Sequence, residues 1–322
     1  MAFEKVTVGA MTADPSLAVR RAIADDASFS TWRARDGWAH RRFDWPAATP
    51  RGRVLVLGGR GDIVEKYLEI LGHLHAEGWS VTTFDWRGQG GSGRLSPNSR
   101  VGHAADFAIF VRDLADFWDE WTQQADGPAM LIAHSMGGHI ALRALAERAI
   151  DPAAVVLVAP MVGIRSPIGA WAGAWLARIM ARMGDPARAA WRVRPDQRSA
   201  GHRQRLLTHD VGRFEDEAWW YERKPDLLLG PPSWAWVAEA FRSGRALATD
   251  PRIATITVRI LMLVPDADGL VDSRAAIRLA ATLPDATLIR FGDEAAHELL
   301  RESDAVRDRV YAMIDSFLNR HA

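Results

Sequence analysis

The chain of 322 residues contains no cysteine. That excludes a disulfide framework, thiolate metal sites and a cysteine nucleophile. It has no excess of either charge, because forty basic residues balance forty acidic ones. Polyanion affinity needs clustered positive excess, so general nucleic-acid binding is excluded. No run of about 18 uncharged apolar residues occurs, so no spanning helix is expected. The opening stretch, Met1 to Pro15, carries Glu4 early and lacks an apolar run long enough for a secretory leader. These absences together point to a cytoplasmic protein. Tyrosine is scarce, with three residues against fourteen tryptophans. Tryptophan fills cores, but it also lines apolar pockets and membrane-interface surfaces.

What is present is ordinary for a globular protein: 48% hydrophobic and 25% charged residues. The length allows one large domain, two modest ones, or one domain with an insertion. The first fifteen residues have weak periodicity and read as a loosely packed arm. Asp36-Gly37 then separates two alternating segments, Phe29–Arg35 and Trp38–Trp45, a strong hairpin signal. Short continuous apolar runs at Arg53–Leu57, Pro128–Ala133, Ala153–Ala159 and Arg259–Val264 read as buried parallel strands, joined by Ser80–Phe84 and Ala286–Phe291. Between them lie helical patterns. One starts at Asp62, with Glu65 three residues on as in a capping box, and runs to about Glu77. Others cover about His103–Gln124, Met136–Ala149, a stretch from Ser273, and Asp304–Asn319.

This alternation predicts an α/β fold with a mostly parallel sheet and helices on both faces. It breaks between about Pro160 and Asp250, where no clear strand appears and seven of the fourteen tryptophans fall. The expected organisation is a core made of residues 1–160 and 251–322, with a helical insertion over 161–250.

The sharpest local signal is Ala133-His134-Ser135-Met136-Gly137-Gly138, where an apolar strand turns into a helix. Small residues two before and two after a serine permit the tight, strained turn that lifts its hydroxyl above a sheet. The helix start behind it favours developing negative charge. A serine nucleophile needs a base, and the base needs an orienting acid. Among the ten histidines, His297 follows the last strand, on the same sheet edge as Ser135. His134 adjoins the serine but should point elsewhere, and His103 reads as a helix-start residue. His73 and His75 are two apart on a helix and share no face. For the acid, Asp266 and Asp268 both qualify, while Asp272 reads as a helix N-cap. An oxyanion hole needs two backbone N–H donors, expected at Met136 and at Arg60 in the Gly58–Gly61 loop. That loop opens like a dinucleotide fingerprint, but Val64 stands where the third glycine belongs. The strand-end order Ser, Asp, His is that of α/β-hydrolases.

From about Phe29 to Phe317 the sequence resembles the α/β-hydrolase superfamily. More narrowly it resembles bacterial lysophospholipases and monoacylglycerol lipases, also described as serine aminopeptidase S33-like. The resemblance rests on Gly59-Arg-Gly-Asp-Ile-Val-Glu-Lys-Tyr67, Asp85-Trp-Arg-Gly-Gln-Gly90 with Ser92, the turn around Ser135, Pro265–Asp268 with Asp272, and Ala296-His-Glu298. It implies Ser135 as nucleophile, His297 as base and Asp268, rather than Asp266, as acid, with Arg60 and Met136 at the oxyanion positions. Two departures are Gly58, where the lipases carry histidine, and Ala133 in place of glycine. Asp85 and Arg87 are expected to fix a loop through a salt bridge.

The implied activity is hydrolysis of a lipid carboxylic ester, a monoacylglycerol or a lysophospholipid, through an acyl-enzyme without metal or organic cofactor. Alternatives on the same fold are a small-ester esterase, or an aminopeptidase that uses Glu215, Asp216 and Glu217 to grip a free amine. A non-catalytic binding protein is disfavoured because no triad member is missing, and haloalkane chemistry because the turn carries serine. Trp171, Trp175 and Ile179 share one helical face in the insertion. That face either packs on the main domain or forms an acyl-chain wall or lipid-touching surface, which would allow peripheral contact with the inner face of a membrane. Arg192, Arg194, Arg198, Arg203 and Arg205 in the same region either attract anionic headgroups or form a solvated face.

Overall fold

The computed structural model describes residues 15–124, 127–192 and 197–322. The expected N-terminal arm lies almost wholly outside the described residues; the chain enters at helix α1, Pro15–Arg21. Strands β1 (Ser28–Arg33) and β2 (Ala39–Trp45) follow as the expected hairpin, with Gly37 at φ 86° in its turn. Then come β3 (Arg53–Leu57), α2 (Leu68–Ala76), β4 (Ser80–Phe84), α3 (Ala108–Thr122), β5 (Ala129–His134), α4 (Met136–Ala146) and β6 (Ala154–Val158). Four helices intervene: α5 (Ala170–Arg182), α6 (Gln197–Leu207), α7 (Val211–Arg223) and α8 (Trp234–Ala248). The chain closes with β7 (Arg259–Pro265), α9 (Ser273–Ala280), β8 (Ala286–Phe291) and α10 (Asp304–Asn319).

The eight strands form one sheet in the order β1-β2-β4-β3-β5-β6-β7-β8. The β1–β2 and β2–β4 pairs are antiparallel and the other five are parallel. The central strands are apolar throughout because both faces are covered. Val54, Val56, Met130, Ile132 and Val156 pack with α2 and α10 on one face. Leu55, Leu57, Leu131, Val155 and Leu157 pack with α3, α4 and α9 on the other. Between β6 and β7 the described residues form helices and no strand.

Two local expectations change, and one left open is decided. Asp62 does not cap a helix: a 3-10 turn at Val64–Tyr67 precedes α2, and its N-cap is Ile63. Helix α3 begins at Ala108 rather than His103, because Gly102 bridges to Pro232 and His103 Nδ1 lies 2.9 Å from Ser233 Oγ. The tryptophan stripe of α5 does not pack on the main domain. Gly173 and Ala177 face inward instead, and a Cβ on Gly173 would sit 2.5 Å from Ser166 Oγ and 3.0 Å from Phe241 on α8. That close approach turns Trp171 and Trp175 outward, 74% and 58% exposed, with Ile179 half-buried.

Candidate active site

Ser135 sits between β5 and α4 with φ 53° and ψ −116°, a conformation costly for any residue with a Cβ. The surrounding chain imposes it. Ser135 N–H donates to Val158 O, and its own carbonyl accepts from Met161 and His139. A Cβ on Gly137 would come within 2.6 Å of Gly58 O and 2.9 Å of Leu57 O, both backbone atoms, so glycine is required there. Ala133, at the other small position, fits as a buried residue of β5.

The three sequence-predicted reacting residues meet. Ser135 Oγ lies 2.9 Å from His297 Nε2, and His297 Nδ1 lies 2.6 Å from Asp268 Oδ2. Asp268 Oδ1 accepts from Leu270 N at 2.7 Å and Val271 N at 2.9 Å. Burial pushes the Asp268 carboxyl up, but the adjoining imidazole and the two amides outweigh it and hold it below the usual range. For His297 burial alone favours the neutral ring; the Asp268 carboxylate wins and raises its pKa above the ordinary histidine value. Asp266 is elsewhere engaged, paired with Arg290 at 2.8 Å on the surface. Asp272 caps α9 through the Arg274 and Ala275 amides, as its position before a helix predicts.

Arg60 lies in the loop after β3, and Met136 follows Ser135 as the first residue of α4. Neither backbone amide donates to an acceptor among the described residues. Gly59 brings the loop close: a Cβ there would lie 3.0 Å from Ser135 Cβ. A hydroxyl beside a base oriented by a carboxylate can attack a carbonyl.

A family model described as serine aminopeptidase, S33 matches residues 48–304. The chain belongs to this family. Lysophospholipase L2 of Escherichia coli (strain K12) is 32% identical over 292 residues, spanning 83% of this chain and 80% of its own. Monoglyceride lipase of Homo sapiens is 34% identical over 122 residues, 38% of this chain and 39% of its own. Among solved structures, a soluble variant of monoglyceride lipase from Saccharomyces cerevisiae in complex with a substrate analog aligns with TM-score 0.73 at 19% identity, over 92% of this chain and 95% of that one. Paleococcus ferrophilus monoacylglycerol lipase aligns with TM-score 0.68 at 21% identity, over 88% and 99%. The fold is that of the α/β-hydrolases.

This S33-family chain holds its Gly58–Gly61 loop with the Asp85–Ser92 run. Trp86 Nε1 donates to Gly58 O at 2.8 Å, and Gln89 Oε1 accepts from Gly61 N at 2.5 Å. Asp85 accepts from the Val64 and Gly91 amides and pairs with Arg41 at 2.8 Å. Arg87 pairs with Asp113 and Asp36. Asp85 and Arg87 therefore fix loops as expected, but through other partners rather than each other.

The feature with no counterpart in the sequence reading is a buried cluster behind the loop. Lys66 Nζ lies 2.6 Å from Asp62 Oδ1, 2.5 Å from Glu298 Oε1 and 3.6 Å from Glu217 Oε2. Asp62 Oδ2 accepts from Gly59 N and from Tyr67 OH, both at 2.6 Å. Tyr67 OH lies 2.9 Å from His134 Nδ1, which accounts for the orientation of His134 away from the serine hydroxyl. Arg301 pairs with Glu298 at 2.5 Å and Arg203 with Glu217 at 2.9 Å. One signal was available. The chain has three lysines, Lys5, Lys66 and Lys224, and otherwise uses arginine. A compact ammonium reaches three carboxylates from different elements more easily than a planar guanidinium does.

The other histidines are engaged away from the serine: His73 with Asp315 at 2.9 Å, and His75 stacked on Trp45. Arg192 and Arg205 are exposed; Arg194 and the Arg198 side chain lie outside the described residues.

Proposed function

We propose that this protein hydrolyses carboxylic esters of lipids through an acyl-enzyme. Ser135 is the nucleophile, His297 the base and Asp268 the orienting acid, and the amides of Arg60 and Met136 are the oxyanion donors. The observation that carries this reading is the continuous relay Ser135 Oγ–His297–Asp268, with links of 2.9 and 2.6 Å on a strained turn. Kinship with lysophospholipase L2 and monoglyceride lipase supports a lipid substrate.

Ser135 attacks the ester carbonyl while its proton passes to His297 Nε2. The Asp268 carboxylate keeps the Nδ1–H tautomer and stabilises the imidazolium. The oxyanion accepts from Arg60 and Met136, the alcohol leaves with the His297 proton, and water activated by His297 releases the fatty acid. Residues 161–250 act as a cap over the sheet edge, on a core formed by 1–160 and 251–322. Ile168, Trp171, Trp175, Leu176, Met183 and Trp191 give this cap an exposed apolar surface, which favours peripheral contact with lipid at the cytoplasmic membrane face.

The aminopeptidase alternative loses support from two of the three acids it would use, while the third, Glu215, is exposed. Asp216 is neutralised by Arg20 and Arg21, and Glu217 by Arg203 and Lys66. Hydrolysis of p-nitrophenyl esters from acetate to palmitate, with wild type beside Ser135→Ala, tests the reading. The expected result is an optimum at medium or long chains and a loss on the order of 10⁵-fold or more in the variant. An optimum at acetate moves the assignment to a small-ester esterase. Turnover unchanged by Ser135→Ala overturns it.

A further inference from the structure

Arg60 contributes more to the site than its backbone amide. Its side chain leaves the oxyanion loop and crosses to the insertion, where Nη2 donates to Gly230 O at 2.7 Å. The guanidinium rests 5.3 Å from the centroid of the Trp236 ring, in space left open by Gly102. No carboxylate of the described residues forms an ion pair with it, in contrast to Arg87, Arg213 and Arg301, which all meet acids. Two buried donors without an acceptor stand at this one place, Arg60 Nε and Trp236 Nε1. Burial, together with the nearby Arg203 charge, lowers the Arg60 pKa to about 10, which leaves it a cation at neutral pH. A half-buried cation without a counter-charge, beside two buried unsatisfied N–H groups, is a costly arrangement for a protein to keep, and an anion is the group that would complete it.

We infer that Arg60 and Trp236 form an anionic subsite that takes the phosphate of a lysophospholipid while its ester carbonyl lies at Ser135. The inference rests on the lipid-ester reading and deepens it. The covalent path supports it: the Arg60 amide faces the oxyanion, and its side chain leads from there to the guanidinium. That chain is similar in length to the glycerol segment between an ester carbonyl and its phosphate. A neutral monoacylglycerol offers hydroxyl acceptors but no counter-charge, so the subsite selects for the phosphate-bearing lipid. Arg60 and Trp236 are specificity residues in this sense.

The test compares a 1-monoacylglycerol with the same lipid carrying a 3-phosphate, using the full-length protein. The readout is the ratio of the two kcat/KM values, which cancels any general damage to the oxyanion loop. Arg60→Gln is expected to lower the ratio, phosphate-bearing over neutral, by roughly 10-fold or more, the range of a lost charge-assisted hydrogen bond. Arg60→Lys should recover part of it, and Trp236→Phe, which keeps a ring but removes the donor, should lower it several-fold. A ratio that stays within about twofold in both Arg60→Gln and Trp236→Phe overturns the proposal. A second readout does not depend on lipid turnover: sn-glycerol 3-phosphate should inhibit p-nitrophenyl acetate hydrolysis competitively in wild type and much less in Arg60→Gln, whereas glycerol should not distinguish them. If wild type cleaves the p-nitrophenyl ester and neither lipid, the lipid reading fails while this inhibition still decides the subsite. Inorganic phosphate inhibiting as strongly as glycerol 3-phosphate, with no change in the lipid ratio, assigns the donors to a free anion and overturns the headgroup subsite.

Discussion

Lys66 Nζ meets Glu298 Oε1 at 2.5 Å, a contact between residues 232 apart in the chain. Glu298 is the neighbour of His297, and the same ammonium holds Asp62, whose other oxygen accepts the Gly59 amide of the loop after β3. One cation thus fixes the His297 loop against the Gly58–Gly61 loop, and through Glu217 it also reaches α7. Replacing it by methionine leaves Asp62, Glu217 and Glu298 buried with too little positive charge. Lys66→Met is expected to lose about 3–5 kcal/mol of unfolding free energy, the range for a buried ion pair broken from one side. Urea denaturation measures this, and kcat on a p-nitrophenyl ester should fall at a temperature where the variant is still folded. An unchanged midpoint with unchanged kcat would remove Lys66 from any positioning role.

The same cluster sets acid sensitivity. Burial pushes the Glu298 carboxyl up, but Lys66 and Arg301 overcome this and bring it down to about 2 from an ordinary 4.5. A depressed carboxyl binds fewer protons folded than unfolded, so its contribution is complete above about pH 4.5 and is lost as pH falls toward 2. Unfolding free energy followed by urea titration from pH 6 down to pH 3 should therefore decline. Glu298→Gln should show a shallower decline from a lower starting stability. Parallel curves for the two proteins would contradict the assignment.

Activity should follow a different group. His297 must be neutral to accept the serine proton, and its pKa is raised above 6.5. Rates should fall as pH drops through that raised value, so the half-point of the acid limb in kcat/KM lies above pH 6.5. After Asp268, the Glu298 charge adds to this elevation. Glu298→Gln should therefore move the half-point to lower pH. A shift upward, or no acid limb between pH 5 and 8, would argue against His297 as the base.

Some of this architecture was legible from residues and some was not, for identifiable reasons. The strands β3, β5 and β6 announce themselves because burial on both faces demands unbroken apolar runs. Ser135 is legible because its turn needs Gly137 at a position where Gly58 O leaves no room for a Cβ. Local spacing alone left Asp266 and Asp268 equivalent. The choice depends on Arg290, which takes Asp266 from a neighbouring strand. Asp62 and Glu65 look like a capping box from spacing, yet distant partners claim them: Lys66 and Gly59 for the first, Arg41 and Lys224 for the second. The α5 period is legible in the sequence and its direction is not. A helical stripe does not say which face is covered, and here the small face at Gly173 and Ala177 allows α8 to approach.

Asp268→Asn should be the most informative single substitution in the triad. Asp268 Oδ1 accepts two amides, from Leu270 and Val271, so in the variant the side-chain oxygen stays there and the NH₂ faces His297. That geometry makes His297 Nδ1 an acceptor and places the ring proton on Nε2, where it blocks removal of the serine proton. The expected fall in kcat is on the order of 10³–10⁴-fold, with stability changed far less than in Lys66→Met. A fall under about tenfold would mean that Asp268 does not set the tautomer.

The exposed face of α5 makes a prediction about where the enzyme works. Trp171 and Trp175 are 74% and 58% exposed, and Ile168, Leu176, Met183 and Trp191 are exposed near them in sequence. Large apolar side chains turned to solvent in this number are unusual unless a surface covers them. Indole rings suit the boundary between headgroups and acyl chains. The double variant Trp171→Ala, Trp175→Ala should bind lipid vesicles at least several-fold more weakly in co-sedimentation. Its rate on vesicle-embedded monoacylglycerol, divided by its rate on soluble p-nitrophenyl acetate, should fall by a similar factor. Repeating the sedimentation with anionic and zwitterionic vesicles separates apolar insertion from attraction by the exposed Arg192 and Arg205. Equal binding of wild type and variant to both vesicle types would show that the tryptophan face does not touch lipid.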